Sequence, residues 1–203
     1  ANELIGARLR NAGFDVTVFQ LPTLGTQSIA TTAKSLGPVV DQVRARTGAA
    51  RVDLVGHSQG GLVARDYVKN NGGAAKVDKI ITLGTPHYGT ALANLATYVT
   101  YGTCLTLQGC LDMQQGSTYL KNLNAGSDVI SPTKIVSIRT RYDEVVFPIS
   151  NSVVNDGATN ILLQDKCPLR VVEHLTLITD GTVASGVIKA LNNQTISFNC
   201  FAI

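Results

Sequence analysis

The sequence predicts an α/β domain, a mostly parallel sheet with helices on both faces. Three observations predict it. Short apolar runs alternate with segments of helical periodicity along most of the chain. One strand, Arg51–Val55, leads straight through a glycine-rich turn into a helix-like segment, Leu62–Lys69. Hydrophobic residues make up 44% of 203 and charged ones only 15%, enough apolar chain to cover a sheet on both sides.

The elements follow in order. Asn2–Arg10 reads as a helix, broken at Gly13 before a strand over Asp15–Leu21. Ile29, Ala33, Leu36, Val40 and Val43 recur at intervals of four and three, one face of a helix that Gly37-Pro38 is expected to kink or split. After Arg51–Val55 and its helix come strands at Val77–Leu83 and Lys134–Thr140 and a weaker one at Asn160–Gln164. Thr182–Leu191 reads as the last helix and Ile196–Cys200 as a short closing strand. A stretch of about 85–132 interrupts the alternation, with a helical face at Ala91–Thr100. It is either structural padding or part of a substrate pocket or cap over the strand ends. With no repeat, low-complexity tract or linker, residues 1–203 are expected to form one domain.

Composition narrows the function classes. The net charge of +3 is spread along the chain without a Lys/Arg run, which argues against nucleic acid. No apolar stretch is long enough to cross a bilayer. The chain opens on Ala1 without a basic-then-apolar leader, as a processed form or a fragment would. Cys104, Cys110, Cys167 and Cys200 fit two disulfides, Cys104–Cys110 by proximity and Cys167–Cys200 by remainder. Paired cysteines suit an oxidising, extracellular compartment. Their spacing matches no zinc pattern, and neither a metal nor an organic cofactor is expected.

The turn after Arg51–Val55 carries chemistry. Gly56-His57-Ser58-Gln59-Gly60 is a G-x-S-x-G sequence between strand and helix, the context of a nucleophile elbow. There a strained turn pushes the serine hydroxyl out above the sheet. Gly56 and Gly60 are expected where a side chain would collide across the turn, and Gly61 where the helix packs closely. The Gln59 N–H, at a helix N-terminus, is placed to hold an oxyanion. No G-K-[ST] follows, so a phosphate-binding loop does not fit.

A serine hydroxyl needs an adjacent base, and the chain offers His57, His87 and His174. His57 is next to Ser58, where neighbouring side chains diverge, and packing beside the elbow is its expected role. His87 follows a strand and is given a minor pocket role at most. His174 is the one histidine late enough for the order serine, acid, histidine. The acid belongs between them at the C-terminal end of a strand, where Asp143 lies. Glu144 and Asp156 are its rivals, and Asp128 precedes the strand at the wrong end.

On these residues the chain resembles the small secreted bacterial class 2 lipases of the actinomycete and Bacillus type. The resemblance is carried by Thr47-Gly48-Ala49, by Val52–Gly61 and by Ile80-Ile81-Thr82-Leu83-Gly84-Thr85-Pro86, and it continues through the regions of Asp143 and His174. It implies an α/β-hydrolase fold, carboxylester hydrolysis by Ser58, Asp143 and His174, and secretion. It implies ester or lipid substrates met at a lipid–water interface; a monomer is expected. Soluble-ester hydrolysis and acyl transfer are the alternatives within that chemistry, and a hydrolase-fold binding protein is the alternative outside it. One departure stands out. Such lipases open with a strand ending in a His-Gly loop that supplies the second oxyanion donor. No histidine here precedes glycine, so the first strand and that loop are expected to be lacking.

Overall fold

The computed structural model describes residues 2–91, 95 and 107–203. Four strands, β1 (Val52–His57), β2 (Val77–Leu83), β3 (Lys134–Arg139) and β4 (Thr159–Leu162), form one parallel sheet in the order β1-β2-β3-β4. Parallel neighbours need long crossovers, so the connections supply the covering layers. The helices are α1 (Asn2–Asn11), α2 (Ile29–Thr47), α3 (Gln59–Asn70), α4 (Gln108–Asp112), α5 (Thr118–Leu123), α6 (Leu163–Lys166) and α7 (Gly181–Leu191).

Side chains alternate across the sheet and divide the core in two. Val52, Leu54, Ile80 and Ile135 face a cluster with Leu36, Val40, Leu62 and Tyr67 from α2 and α3. Val55, Ile81, Val136 and Ile138 face a second cluster with Leu9 of α1 and Val183 and Val187 of α7. β1, β2 and β3 thus have apolar groups on both faces, as the sequence pattern requires.

α2 runs as one helix through Pro38, so the expected split does not occur. Proline lacks the N–H that would bond the carbonyl of Lys34. Both residues are exposed, so water satisfies that carbonyl and the break costs little. Ser28 caps the helix by accepting from Thr31 N, and Gly48 closes it in a left-handed conformation at φ 73°.

Two expected strands, Asp15–Leu21 and Ile196–Cys200, have no ladder. Residues 14–21 are extended, with Phe14 and Val16 packed toward the second cluster and Phe19 and Leu21 toward the first. The alternation in the sequence is therefore real, but it records burial on two sides, and a ladder also needs a neighbouring backbone at about 4.8 Å. Side chains hold the segment instead. Arg10 donates to the Val16 carbonyl at 2.9 Å, and Arg46 pairs with Asp15 through both guanidinium nitrogens. Residues 196–200 lie against α7, with Asn199 N donating to Ser185 Oγ at 2.8 Å. Phe198 sits so close that a Cβ on Gly186 would lie 2.1 Å from its ring. At the other expected strand, Asn160–Gln164, pairing stops at Leu162 and α6 begins.

The Cys167–Cys200 disulfide is present, with Cα atoms 5.5 Å apart, and fastens residues 196–200 below the loop that carries His174. Cys110 is disulfide-bonded as well, whereas Cys104 lies outside the described residues. So does most of the helix expected over 91–100. Among the described residues no helix is long and apolar enough to cross a membrane.

Candidate active site

β1 ends at His57 and α3 begins at Gln59, which leaves Ser58 alone to make the turn. Its backbone adopts φ 53° and ψ −122°, a region that costs a non-glycine residue about 1–3 kcal/mol. Neighbouring backbone fixes this shape. Ser58 N donates to the Leu83 carbonyl at 2.9 Å, and Thr85 Oγ1 donates to the Ser58 carbonyl at 2.8 Å. A Cβ on Gly56 would lie 2.6 Å from the Gly60 carbonyl carbon, and one on Gly61 2.1 Å from Thr85 Oγ1. The expected collision at Gly60 does not occur, since nothing lies within 4 Å of its Cβ position. Gly60 is the backbone that Gly56 must clear.

Asp143 lies in the turn after β3, where Gln164 locks the backbone. Gln164 Oε1 accepts from Arg141 N at 2.8 Å, and its Nε2 donates to Thr140 Oγ1 at 3.0 Å. His174 lies on non-helical chain beside that turn, joined to it by a bridge between Tyr142 and Glu173. The three side chains meet. His174 Nε2 is 3.0 Å from Ser58 Oγ, and His174 Nδ1 is 3.0 Å from Asp143 Oδ2. Asp143 Oδ1 accepts from Val145 N and Val146 N at 2.9 and 2.8 Å. With one carboxylate oxygen fixed by two amides, the other is aimed at the imidazole. A carboxylate on Nδ1 selects the tautomer with hydrogen there, leaving Nε2 as an acceptor for the serine proton.

All three residues are buried, Ser58 with 2% of its surface exposed. The turn therefore presents the hydroxyl to His174 rather than to bulk solvent. Gly84 lies beneath the pair at φ 57°, and a Cβ there would sit 2.7 Å from Leu177 Cδ1 and 3.2 Å from both Asp143 Oδ2 and His174 Nδ1. In the sequence Gly84 stands out only as part of the family resemblance, and its place at a strand's C-terminal end is the signal for a role of its own.

The other candidates have different surroundings. His57 Nε2 donates to the His174 carbonyl at 2.8 Å. Burial, then the adjacent His174, lowers its pKa to about 4, so it is neutral at pH 7. Glu144 Oε2 accepts from His174 N at 3.0 Å. His87 is enclosed between Thr82 and Arg65, and burial followed by the Arg65 charge keeps it neutral. It lines no pocket. Asp128 pairs with Arg65, both side chains almost fully buried, and accepts from Tyr88 Oη at 2.6 Å. Asp156, in a turn at φ 65°, accepts from Asp128 N. The Gln59 side chain donates to the carbonyls of Gly25 and Gly109, tying residues 22–25 and α4 to the elbow. Its backbone N–H opens α3. Among the described residues no group of three or more His, Cys, Asp or Glu side chains gathers to hold a metal.

Comparison with known proteins agrees with this architecture. A 55-residue stretch, 27% of the chain, is 49% identical to triacylglycerol lipases of Pseudarthrobacter phenanthrenivorans and Burkholderia plantarii. That stretch spans only 17% and 15% of those relatives' lengths. Aspergillus fumigatus lipase B superposes with a TM-score of 0.73 at 18% identity, over 87% of this chain and 45% of that one. The mature form of Bacillus licheniformis lipase BlEst2 superposes with a TM-score of 0.62 at 20% identity, over 81% and 74%. The shared architecture is the α/β-hydrolase fold. With residues 7–130 matched, the chain belongs to the palmitoyl protein thioesterase family.

Proposed function

We propose that this chain is a serine hydrolase of carboxylic esters, acting through an acyl-enzyme on Ser58. The observation that carries the reading is the unbroken hydrogen-bonded line from Ser58 Oγ through His174 to Asp143, with both links at 3.0 Å and a strained nucleophile at its head. His174 Nε2 takes the hydroxyl proton as Oγ attacks the ester carbonyl. Asp143 holds the imidazole and stabilises the imidazolium. The tetrahedral oxyanion is met by the Gln59 N–H at the positive end of α3. His174 returns the proton to the departing alcohol, and water repeats the sequence on the acyl-enzyme.

Substrates with apolar acyl groups fit the surroundings. Tyr142, Phe147, Val171 and Leu175 are large apolar residues exposed close in sequence to Asp143 and His174, and the relatives that share the 55-residue stretch are triacylglycerol lipases. This supports lipid esters as substrates. The family description favours adding an S-palmitoyl thioester, whose carbonyl is attacked in the same way. The reading includes secretion, in keeping with the disulfide, and action as a monomeric single domain.

A fluorophosphonate ester tests the nucleophile directly, because stoichiometric labelling at Ser58 requires an activated serine. Ser58→Ala is expected to abolish labelling and lower turnover on the order of 10⁶-fold. Retention of most esterase activity in that variant refutes the assignment. A panel of short and long acyl esters and thioesters then separates lipase, soluble esterase and thioesterase. A competing alcohol acceptor exposes acyl transfer.

A further inference from the structure

His174 is carried on loop backbone, between the bridge at Glu173 and a short helical turn, Leu175–Ile178. Its imidazole nevertheless has to keep Nε2 within hydrogen-bonding reach of Ser58 while a proton moves. Side-chain bonds to Asp143 and Ser58 orient the ring, and the bridge at Glu173 anchors the chain just before it. Two further contacts hold the backbone of His174 itself. The backbone N–H of His174 donates to Glu144 Oε2 at 3.0 Å, and its backbone carbonyl accepts from His57 Nε2 at 2.8 Å. The donor side chain comes from the residue before Ser58, and the acceptor from the residue after Asp143. The nucleophile turn and the acid turn each reach across to the main chain of the base.

We propose that His57 and Glu144 are positioning residues that clamp both peptide groups of His174, fixing the base relative to Ser58. The proposal rests on the serine-hydrolase reading above. The residue types suit the task. A carbonyl can only accept, so His57 must carry its hydrogen on Nε2. The His57 and His174 rings are tilted by 39° with centroids 5.0 Å apart, so His57 reaches the loop without stacking on the base. Glu144 is exposed, and truncating it removes little packing.

The test pairs removal with conservative replacement in the full chain. His57→Leu removes the donor and His57→Gln keeps one at a similar reach; Glu144→Ala removes the acceptor and Glu144→Gln keeps it. A misplacement near 1 Å costs about 10²-fold in rate. His57→Leu and Glu144→Ala are therefore expected to lower kcat and the fluorophosphonate labelling rate by roughly 10–10²-fold. KM should stay nearly constant, and both glutamine variants should recover most of the loss. Glu144→Leu, which keeps bulk without an acceptor, should not recover the loss, whereas a packing defect alone would be relieved by it. Wild-type labelling by a folded His57→Leu or Glu144→Ala protein overturns the clamp. If His57→Leu does not fold, Glu144→Ala and Glu144→Gln decide the matter. Absence of labelling in the wild-type protein overturns the serine-hydrolase reading instead.

Discussion

At Ser58 the usual preference of a buried site for alanine over glycine ought to shrink or reverse. Replacing a buried Ala by Gly normally loses about 0.8 kcal/mol for one methylene-sized group. It loses roughly 0.4–1 kcal/mol more through the freer unfolded chain. An unstrained site would thus favour Ala by about 1.5 kcal/mol. At φ 53° and ψ −122°, a residue with a Cβ carries about 1–3 kcal/mol of backbone strain that glycine does not. The balance between Ser58→Gly and Ser58→Ala then falls between about −0.5 and +1.5 kcal/mol. Both variants lose the 3.0 Å bond to His174, so that loss cancels. The measurement is the urea midpoint of the two proteins at equal m-value, with thermal midpoints as a second reading. At this length about 1 kcal/mol corresponds to roughly 2–4 °C. Were Ser58→Gly the less stable by the full 1.5 kcal/mol or so, the turn would carry no strain and the argument would fail.

Three further outcomes follow from the packing. The folded-state pKa of His57 is depressed to about 4 from 6.5, so its stabilising effect is complete above pH 6.5 and is lost as pH falls toward 4. The loss is on the order of 3 kcal/mol, and burial of neutral His87 acts in the same direction. His57→Gln should flatten the urea midpoint between pH 7 and pH 4, and an unchanged slope would contradict this. Replacing Cys167 and Cys200 by alanine opens a loop whose ends are 33 residues apart. A cost of about 3.7 kcal/mol is expected, seen calorimetrically as a drop near 10 °C; a drop of only a degree or two would show that the tie does little. Asp128→Ala strands the buried Arg65 charge and should cost about 3–5 kcal/mol. Arg65→Met combined with Asp128→Leu should recover much of that loss in denaturant titrations, and a double variant as unstable as the single one argues against an unpaired charge as the cause.

Much of the fold was legible because burial leaves a period in the sequence. α1, α2, α7 and the four strands lie where apolar spacing places them, apart from end residues. Pairing leaves no such trace. Phe14, Val16, Phe19 and Leu21 alternate like a strand and pack, partly buried, against the two clusters, yet their backbone has no ladder. Pro38 shows the converse, a residue read as a breaker whose missing bond falls on the solvent side of α2.

The site divides along the same line. Ser58, His174 and Asp143 could be singled out because chain order and strand ends restrict which residues can meet, and the structure brings their side chains within 3.0 Å of one another in sequence. His57 and Glu144 could not be assigned in that way. Side-chain reasoning asked whether each was a base or an acid, and set His57 aside because it diverges from Ser58. Divergence from Ser58 is what turns it toward the carbonyl of His174. A contact from a side chain to a distant main chain leaves no motif, since the partner can be any residue at the right height. Gly84 belongs with them: its absent side chain makes room for the Asp143–His174 pair, and only the folded neighbours reveal what it must avoid. In this chain the groups proposed to react are accessible to sequence logic, and the residues proposed to hold them in register become visible through main-chain geometry.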